Sequence, residues 1–217
     1  MNIATDLEGT LTTGRTWKAV SAYLGQQGQG GAVRLFMATH LPGTIAAQTG
    51  IINRQEYANR WIIDMARLLA GCDAAELDRL ADYVVLQVMW PQRRQDVLDE
   101  LERHHLDGHR IILTSGTYLP IAQAFARRAG IVDVIGSELA MDGGRATGRL
   151  VGALNNGPPK AERLRQLLGS QALDLAYGDT MADAPMLELC RTPIAVYPDD
   201  PLRRLAVSRN WRTIPST

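Results

Sequence analysis

The chain has 217 residues, 46% of them hydrophobic and 21% charged, a composition that builds a folded globular protein and argues against disordered, collagen-like or coiled-coil sequence. Lys plus Arg and Asp plus Glu balance at 23 each, so no net basic field marks nucleic acid or an acidic membrane as the main partner, and small-molecule chemistry is the expectation. The two cysteines, Cys72 and Cys190, are far apart and lack metal-type spacing, which suits a reducing compartment and no disulfide framework.

In chain order, residues 2–5 read as a short buried strand that delivers Asp6 and Glu8 into a loop turned by Gly9. From Trp17 to Val88 the apolar spacing is helical, and breaks at Gly25 to Gly31, at Pro42-Gly43 and at Gly71 divide it into four helices. Pro91 opens a further helix that runs to about His105 and closes at Gly108; Arg110 to Leu113 is a second strand, ending in Thr114-Ser115-Gly116. A helix over Leu119 to Arg128 follows, then Val132 to Ile135 and Ser137 to Leu150 as strand material, turned into a hairpin at Asp142-Gly143-Gly144. Pro158-Pro159-Lys160 starts a helix with Leu164, Leu167 and Leu168 on one face. Leu173 to Tyr177 is a strand leading to Gly178-Asp179, and Pro193 to Tyr197 is the last strand. Strands alternating with helices imply an α/β fold with a Rossmann-like, mostly parallel sheet covered on both faces. The helical stretch reads as an insertion.

Residues 32–52 are the most lipid-like run, but Arg34, His40, Pro42 and two glycines interrupt it, so no spanning helix and no stable membrane insertion are expected. The first strand begins at Asn2 and leaves no room for an export signal, which points to a cytoplasmic protein. His104, His105 and His109 cluster at a helix end, where imidazoles favour the carbonyl dipoles over a metal. Trp17, Trp61, Phe36 and Met37 read as the core of the helical insertion, with an apolar lid over the ligand as the alternative.

In an open parallel sheet the ligand crevice lies beyond the carboxyl ends of the strands, and there the polar residues gather. Asp6 and Glu8 follow the first strand, Ser115 and Gly116 the second, Asp179 and Asp183 a later one, while Lys160 opens an intervening helix. Carboxylates brought together need a cation, and hard oxygen ligands of this kind suit Mg²⁺. Phosphate adds negative charge that the Ser115 hydroxyl, the Gly116 amide and the Lys160 ammonium can meet. Lysine is rare here, with only Lys18 and Lys160 among 23 basic residues, which suits a position that wants a compact point charge.

The run Asp6-Leu7-Glu8-Gly9-Thr10, then Ser115-Gly116-Thr117, Lys160 and Gly178-Asp179-Thr180-Met181-Ala182-Asp183 resembles, in order, the four motifs of the haloacid dehalogenase superfamily. The insertion after the first motif and the segment Leu139 to Gly152 are similar to the subgroup containing phosphoserine phosphatase. The resemblance implies an α/β core over 1–14 and 89–217 with an inserted helical cap over 15–88. It implies a Mg²⁺-dependent phosphatase that hydrolyses a small-molecule phosphate monoester, with Asp6 forming an aspartyl-phosphate and Glu8 as general acid and base. Asp6, the Glu8 carbonyl and Asp179 would hold the metal, with Asp183 outside them, and Ser115, Gly116 and Lys160 would bind phosphate. Glu8 stands where the family more often has Asp, which leaves transfer to an alcohol acceptor open beside transfer to water. A non-catalytic phosphate-binding module is the third reading. Phosphoserine phosphatases carry a Glu just after the first motif to hold the substrate ammonium, whereas the position here is Arg15. Arg15 thus points to a leaving group without an amine, or with an acid.

Overall fold

In the computed structural model, which describes residues 1–215, six parallel strands form one sheet in the order β3-β2-β1-β6-β7-β8. They are β1 (Asn2–Thr5), β2 (Arg110–Tyr118), β3 (Asp133–Ser137), β6 (Leu175–Gly178), β7 (Thr192–Val196) and β8 (Arg212–Ile214). The order reverses between β1 and β6, so the carboxyl ends of these two strands flank the crevice that such a reversal opens. A separate antiparallel hairpin joins β4 (Leu139–Asp142) to β5 (Arg145–Leu150).

Side-chain alternation sorts the sheet into two faces. Ile3, Leu113, Tyr177 and Ile194 belong to one buried cluster, and Ala4, Ile112, Ala176 and Ala195 to the other. The second face is covered by α7 (Pro158–Leu168), α8 (Ala184–Leu187) and α9 (Asp200–Arg209), through Leu164, Leu187 and Leu202. The first is covered by α5 (Gln95–Leu106) and α6 (Leu119–Ala129), through Val97, Leu101 and Phe125.

Between β1 and α5 lie α1 (Thr16–Leu24), α2 (Gly30–Gln48), α3 (Arg54–Met65) and α4 (Ala74–Val84). Asp73 and Glu76 start α4 with reciprocal bonds, each side chain accepting from the other's backbone amide at 2.9 and 2.8 Å. Val20, Leu24, Leu80 and Val84 of these helices share one continuous buried cluster with Phe125 of α6. The two strands of chain that lead in and out of the helical segment run side by side: the Thr13 amide donates to the Gln92 carbonyl at 3.0 Å, and the Thr12 hydroxyl to the Met89 carbonyl at 2.6 Å. No helix of the described residues is long and apolar enough to cross a membrane.

Four local expectations need correction. Pro42-Gly43 does not break a helix, since α2 runs through it. Gly43 instead gives the Tyr57 ring a seat, where a Cβ would come within 2.4 Å of the ring, and the hydroxyls of Tyr57 and Thr44 both donate to the His40 carbonyl. The actual break follows Gln48, and Asn53 restarts α3 by accepting from the amides of Gln55 and Glu56 at 2.9 and 3.1 Å. Pro91 lies in a turn and α5 begins only at Gln95, because Arg94 is held extended by its amide bond to the Leu11 carbonyl at 2.8 Å. Leu167 stands 41% exposed, while Leu164 and Leu168 are buried. Pro193 to Tyr197 is not the last strand: the chain turns through α9 and adds β8 at the sheet edge.

Candidate active site

Asp6 leaves the end of β1 with its amide bonded to the Tyr177 carbonyl of β6 at 3.0 Å. That bond sets Asp6 level with Gly178, one residue before Asp179. Gly9, in the loop after β1, and Gly178, at the end of β6, allow the close approach. A Cβ on Gly9, whose φ is +99°, would lie 1.8 Å from an Asp179 oxygen, and one on Gly178 would lie 2.5 Å from the Asp183 Cβ. Asp183 turns back to cap the loop, accepting from the Thr180 amide and hydroxyl, each at 3.2 Å. Ligand oxygens of Asp6, Asp179 and Asp183 lie within 4.8 Å of one another.

Lys160, in the first turn of α7, reaches into this group and is 1% exposed. Its Nζ donates to Asp6 Oδ1 and to Asp183 Oδ1, both at 2.6 Å. Asp179 is steadied by the Thr10 hydroxyl at 3.2 Å. The ordinary charges of these four groups sum to minus two in a nearly sealed site, and the consequence is electrostatic. Burial, only partly offset by Lys160 and reinforced by Asp183, pushes the Asp6 carboxyl up to about 7. Burial, then the charges of Asp6 and Asp183, push Asp179 up to about 8. Lys160 moves the other way: burial opposes its charge, but Asp183 and Asp6 outweigh burial and hold the ammonium above its usual range. A hard divalent cation fits this donor set, since it would supply the missing positive charge to oxygen ligands.

The pH dependence of that fit follows from the directions of shift. Asp6 and Asp179 both have folded values raised above the unfolded one of 3.8, so ionising them in the metal-free fold costs stability progressively as pH rises from about 4 to 8. A cation that requires both ionised recovers this loss. The rise in thermal midpoint on adding Mg²⁺ is therefore expected to be small at pH 6 and several-fold larger at pH 8.5. A Mg²⁺ shift independent of pH would remove the three carboxylates as its origin.

Glu8, two residues past Asp6, is half-buried, and its Oε1 accepts from the Thr16 amide at the start of α1 at 3.3 Å. Burial raises its carboxyl, although Thr16 and the nearby Arg15 charge pull it down. A raised carboxyl is what a proton donor near neutral pH needs. Arg15 is the exposed residue just before α1, on the same side as Glu8. Ser115 is buried within β2, two residues past the Leu113 that pairs with Thr5. It does not cap α6, which begins after Tyr118; its hydroxyl instead accepts from the Thr117 amide at 3.2 Å. His104 is engaged elsewhere, against the Tyr177 hydroxyl at 3.1 Å.

Asn155 had no sequence signal, yet it is fully buried and braces the carboxyl-terminal half of β2, where its register shifts. Its Nδ2 lies 2.9 Å from the Ser115 carbonyl, 3.1 Å from the Thr114 hydroxyl and 3.2 Å from the Ile135 carbonyl. Its amide donates to Ser137 Oγ at 3.0 Å, and that hydroxyl donates to the Gly116 carbonyl at 2.8 Å. With both carbonyls drawn toward Asn155 and Ser137, the polar groups of Ser115 and Gly116 in β2 are fixed from behind. The contact between Thr16 and Thr117 was missed as well; their hydroxyls meet at 2.9 Å and tie α1 to β2.

A family profile for haloacid dehalogenase-like hydrolases matches residues 3–188. A phosphoserine phosphatase of Mycobacterium tuberculosis is 35% identical over 152 residues, covering 66% of this chain and 48% of its own length. The chain thus spans about half of that relative. Among solved structures, a protein of unknown function from Bordetella pertussis Tohama I superposes with a TM-score of 0.81 at 24% identity, over 97% of this chain and 96% of its own. A substrate-bound phosphoserine phosphatase superposes with a TM-score of 0.62 at 15% identity, over 94% and 89%; both likenesses are of fold.

Proposed function

The chain belongs to the haloacid dehalogenase-like hydrolases, and on that premise we propose that it is a cytoplasmic, Mg²⁺-dependent phosphatase of a small-molecule phosphate monoester, working through an aspartyl-phosphate. The observation that carries the reading is Lys160 held at 2.6 Å from both Asp6 and Asp183, with Asp179 alongside. Such a group offers a nucleophilic carboxylate, a cation for phosphoryl oxygens and a set of acceptors for a metal. The core over 1–14 and 89–217 supplies the reacting groups, and the helical cap over 15–88 excludes water from them.

Asp6 attacks phosphorus, and the bond to the ester oxygen breaks as Glu8 gives that oxygen its proton. Glu8 then takes a proton from water, which attacks the phosphoryl group and releases phosphate and Asp6. Lys160, the Ser115 hydroxyl and the Gly116 amide hold the phosphoryl oxygens through both steps. Asp6, Asp179 and the Glu8 carbonyl would bind Mg²⁺, with Asp183 behind them, and the ion would supply further positive charge to those oxygens.

Phosphate release from an aryl phosphate, with Mg²⁺ or with EDTA, tests the reading. Release that needs the metal sustains it. Phosphate binding in Mg²⁺ without turnover of any ester would leave a binding module, and new esters formed from added alcohols would make the protein a phosphotransferase.

Arg15 beside Glu8 disfavours an ammonium on the leaving group by simple repulsion. Phosphoserine and its des-amino analogue are therefore expected to have kcat/KM values within a few-fold of each other, with Arg15→Glu shifting preference toward phosphoserine. A strong wild-type preference for phosphoserine would sink this assignment of Arg15.

A further inference from the structure

Helix α2 is apolar on both sides. Toward the other helices it buries Phe36 and Ala47. On the opposite arc Leu35, Ala38, Leu41, Pro42 and Ile45 follow one another at helical spacing and are all exposed, Leu35 at 67%, Leu41 at 56% and Ile45 at 52%. Ile51, 78% exposed, continues the surface past the helix end. A helix at the surface of a soluble protein ordinarily keeps its outer face polar, and a contiguous apolar surface of this kind marks an interaction site.

Charge indicates what it meets. Residues 9–55 contain no Asp or Glu but carry Arg15, Lys18, Arg34 and Arg54. All four are exposed, and among the described residues none forms a salt bridge. In a chain whose total charge is zero, this is a local cationic surplus. Arg34 lies on the outer arc of α2. Arg54 closes its far end, donating to the carbonyls of Ala47 and Gln48 at 3.0 and 2.8 Å, beside Ile51 and Ile52. The apolar stripe is bracketed by cations.

We infer that this face docks reversibly on an anionic phospholipid bilayer, the aliphatic side chains entering the boundary between headgroups and acyl chains while the cations meet lipid phosphates. A second copy of the chain fits less well, because a two-fold contact would set the same cations against one another. The overall neutrality of the sequence conceals this surface, since the compensating acids lie elsewhere.

The test is co-sedimentation of the full chain with vesicles of phosphatidylcholine and with vesicles of phosphatidylcholine and phosphatidylglycerol in equal parts. Binding is expected on the mixed vesicles only, and it should weaken as salt is raised. Arg34→Gln should weaken it roughly fivefold, and the pair Leu41→Glu/Ile45→Glu about tenfold or more. These positions are exposed, so the thermal midpoint should stay at the wild-type value and serves as the folding control. Equal binding to neutral vesicles would overturn the inference, as would absence of binding to both. A dimer in sedimentation velocity that Leu41→Glu/Ile45→Glu dissolves would overturn it in favour of a second copy.

Discussion

Asp6→Asn is expected to abolish phosphate release while making the metal-free protein more resistant to heat. The two effects have one origin. Asn has the shape of Asp and can still accept the bond from Lys160, but it cannot form the acyl phosphate, and loss of a covalent nucleophile costs roughly 10⁴–10⁶ in kcat. Removing the charge also removes the burial cost, reinforced by Asp183, that lifts Asp6 to about 7. Between the unfolded value of 3.8 and about 7 the wild-type fold loses stability as pH rises, because the unfolded chain ionises Asp6 more readily, and the neutral amide escapes that loss. At pH 8 without metal the thermal midpoint should therefore rise by a few degrees, about 2–4 °C for each kcal/mol recovered in a chain of this size. At pH 5 the gain should be smaller, and it should vanish only below about pH 4, where Asp6 is protonated in the unfolded chain as well. Phosphate release and melting curves, measured on the same preparations with Mg²⁺ or EDTA, decide the matter. Wild-type turnover in the variant would remove Asp6 from the chemistry, and a lowered midpoint at pH 8 would contradict the charge balance derived for the site.

Lys160→Met should have the opposite effect on stability. The methionine fills the volume, but Asp6 and Asp183 lose the cation that each meets at 2.6 Å. Removing one partner from a buried ion pair typically costs roughly 3–5 kcal/mol. The thermal midpoint of the metal-free protein at pH 8 should then fall by about 6–20 °C. Mg²⁺ should return part of the loss, since it addresses the same uncompensated charge. Lys160→Met combined with Asp183→Asn should recover more than Mg²⁺ does, because it removes an unpaired carboxylate outright. Lys160→Arg is not expected to substitute: a guanidinium is wider than an ammonium, and the site around Lys160 is 1% exposed. Turnover should fall in every variant, through loss of a donor to the phosphoryl oxygens. A Lys160→Met protein that melts with the wild type would show that the cluster sheds its charge by protonation instead.

The parallel sheet was legible because its strands are continuous apolar runs, Ile111 to Leu113 and Leu175 to Tyr177 among them, and periodicity registers such runs directly. Asp6, Lys160, Asp179 and Asp183 were legible for a different reason: each sits at a predictable place, the end of a strand or the first turn of a helix. The brace around Asn155 depends on partners 18 to 41 residues away, and nothing in the residues flanking Asn155 announces them. The contact of Thr16 with Thr117 spans 101 residues and is equally silent. Pro42 misled because local propensity counts its missing amide, while the fold gives α2 a neighbour in Tyr57 that shapes itself to Gly43. β8 went unseen because three residues at a sheet edge carry too little pattern, and only its pairing with β7 defines it.

The buried cluster that runs unbroken from α1 and α4 into α6 makes half of the cap a fixed wall. Swinging that half outward would tear open a core, and no substrate could repay the exposed area. The half formed by α2 and α3 belongs to the same cluster through Phe36 and Met65, and two polar bonds fasten it further: the Asn156 side-chain amide to Asn59 Oδ1 at 2.7 Å, and the Tyr118 hydroxyl to the Ile62 carbonyl at 2.6 Å. The helical segment is thus seated as one piece, and the cleft of about 810 Å³ between Asn59, Asn156 and Met181 lies at its fastened edge.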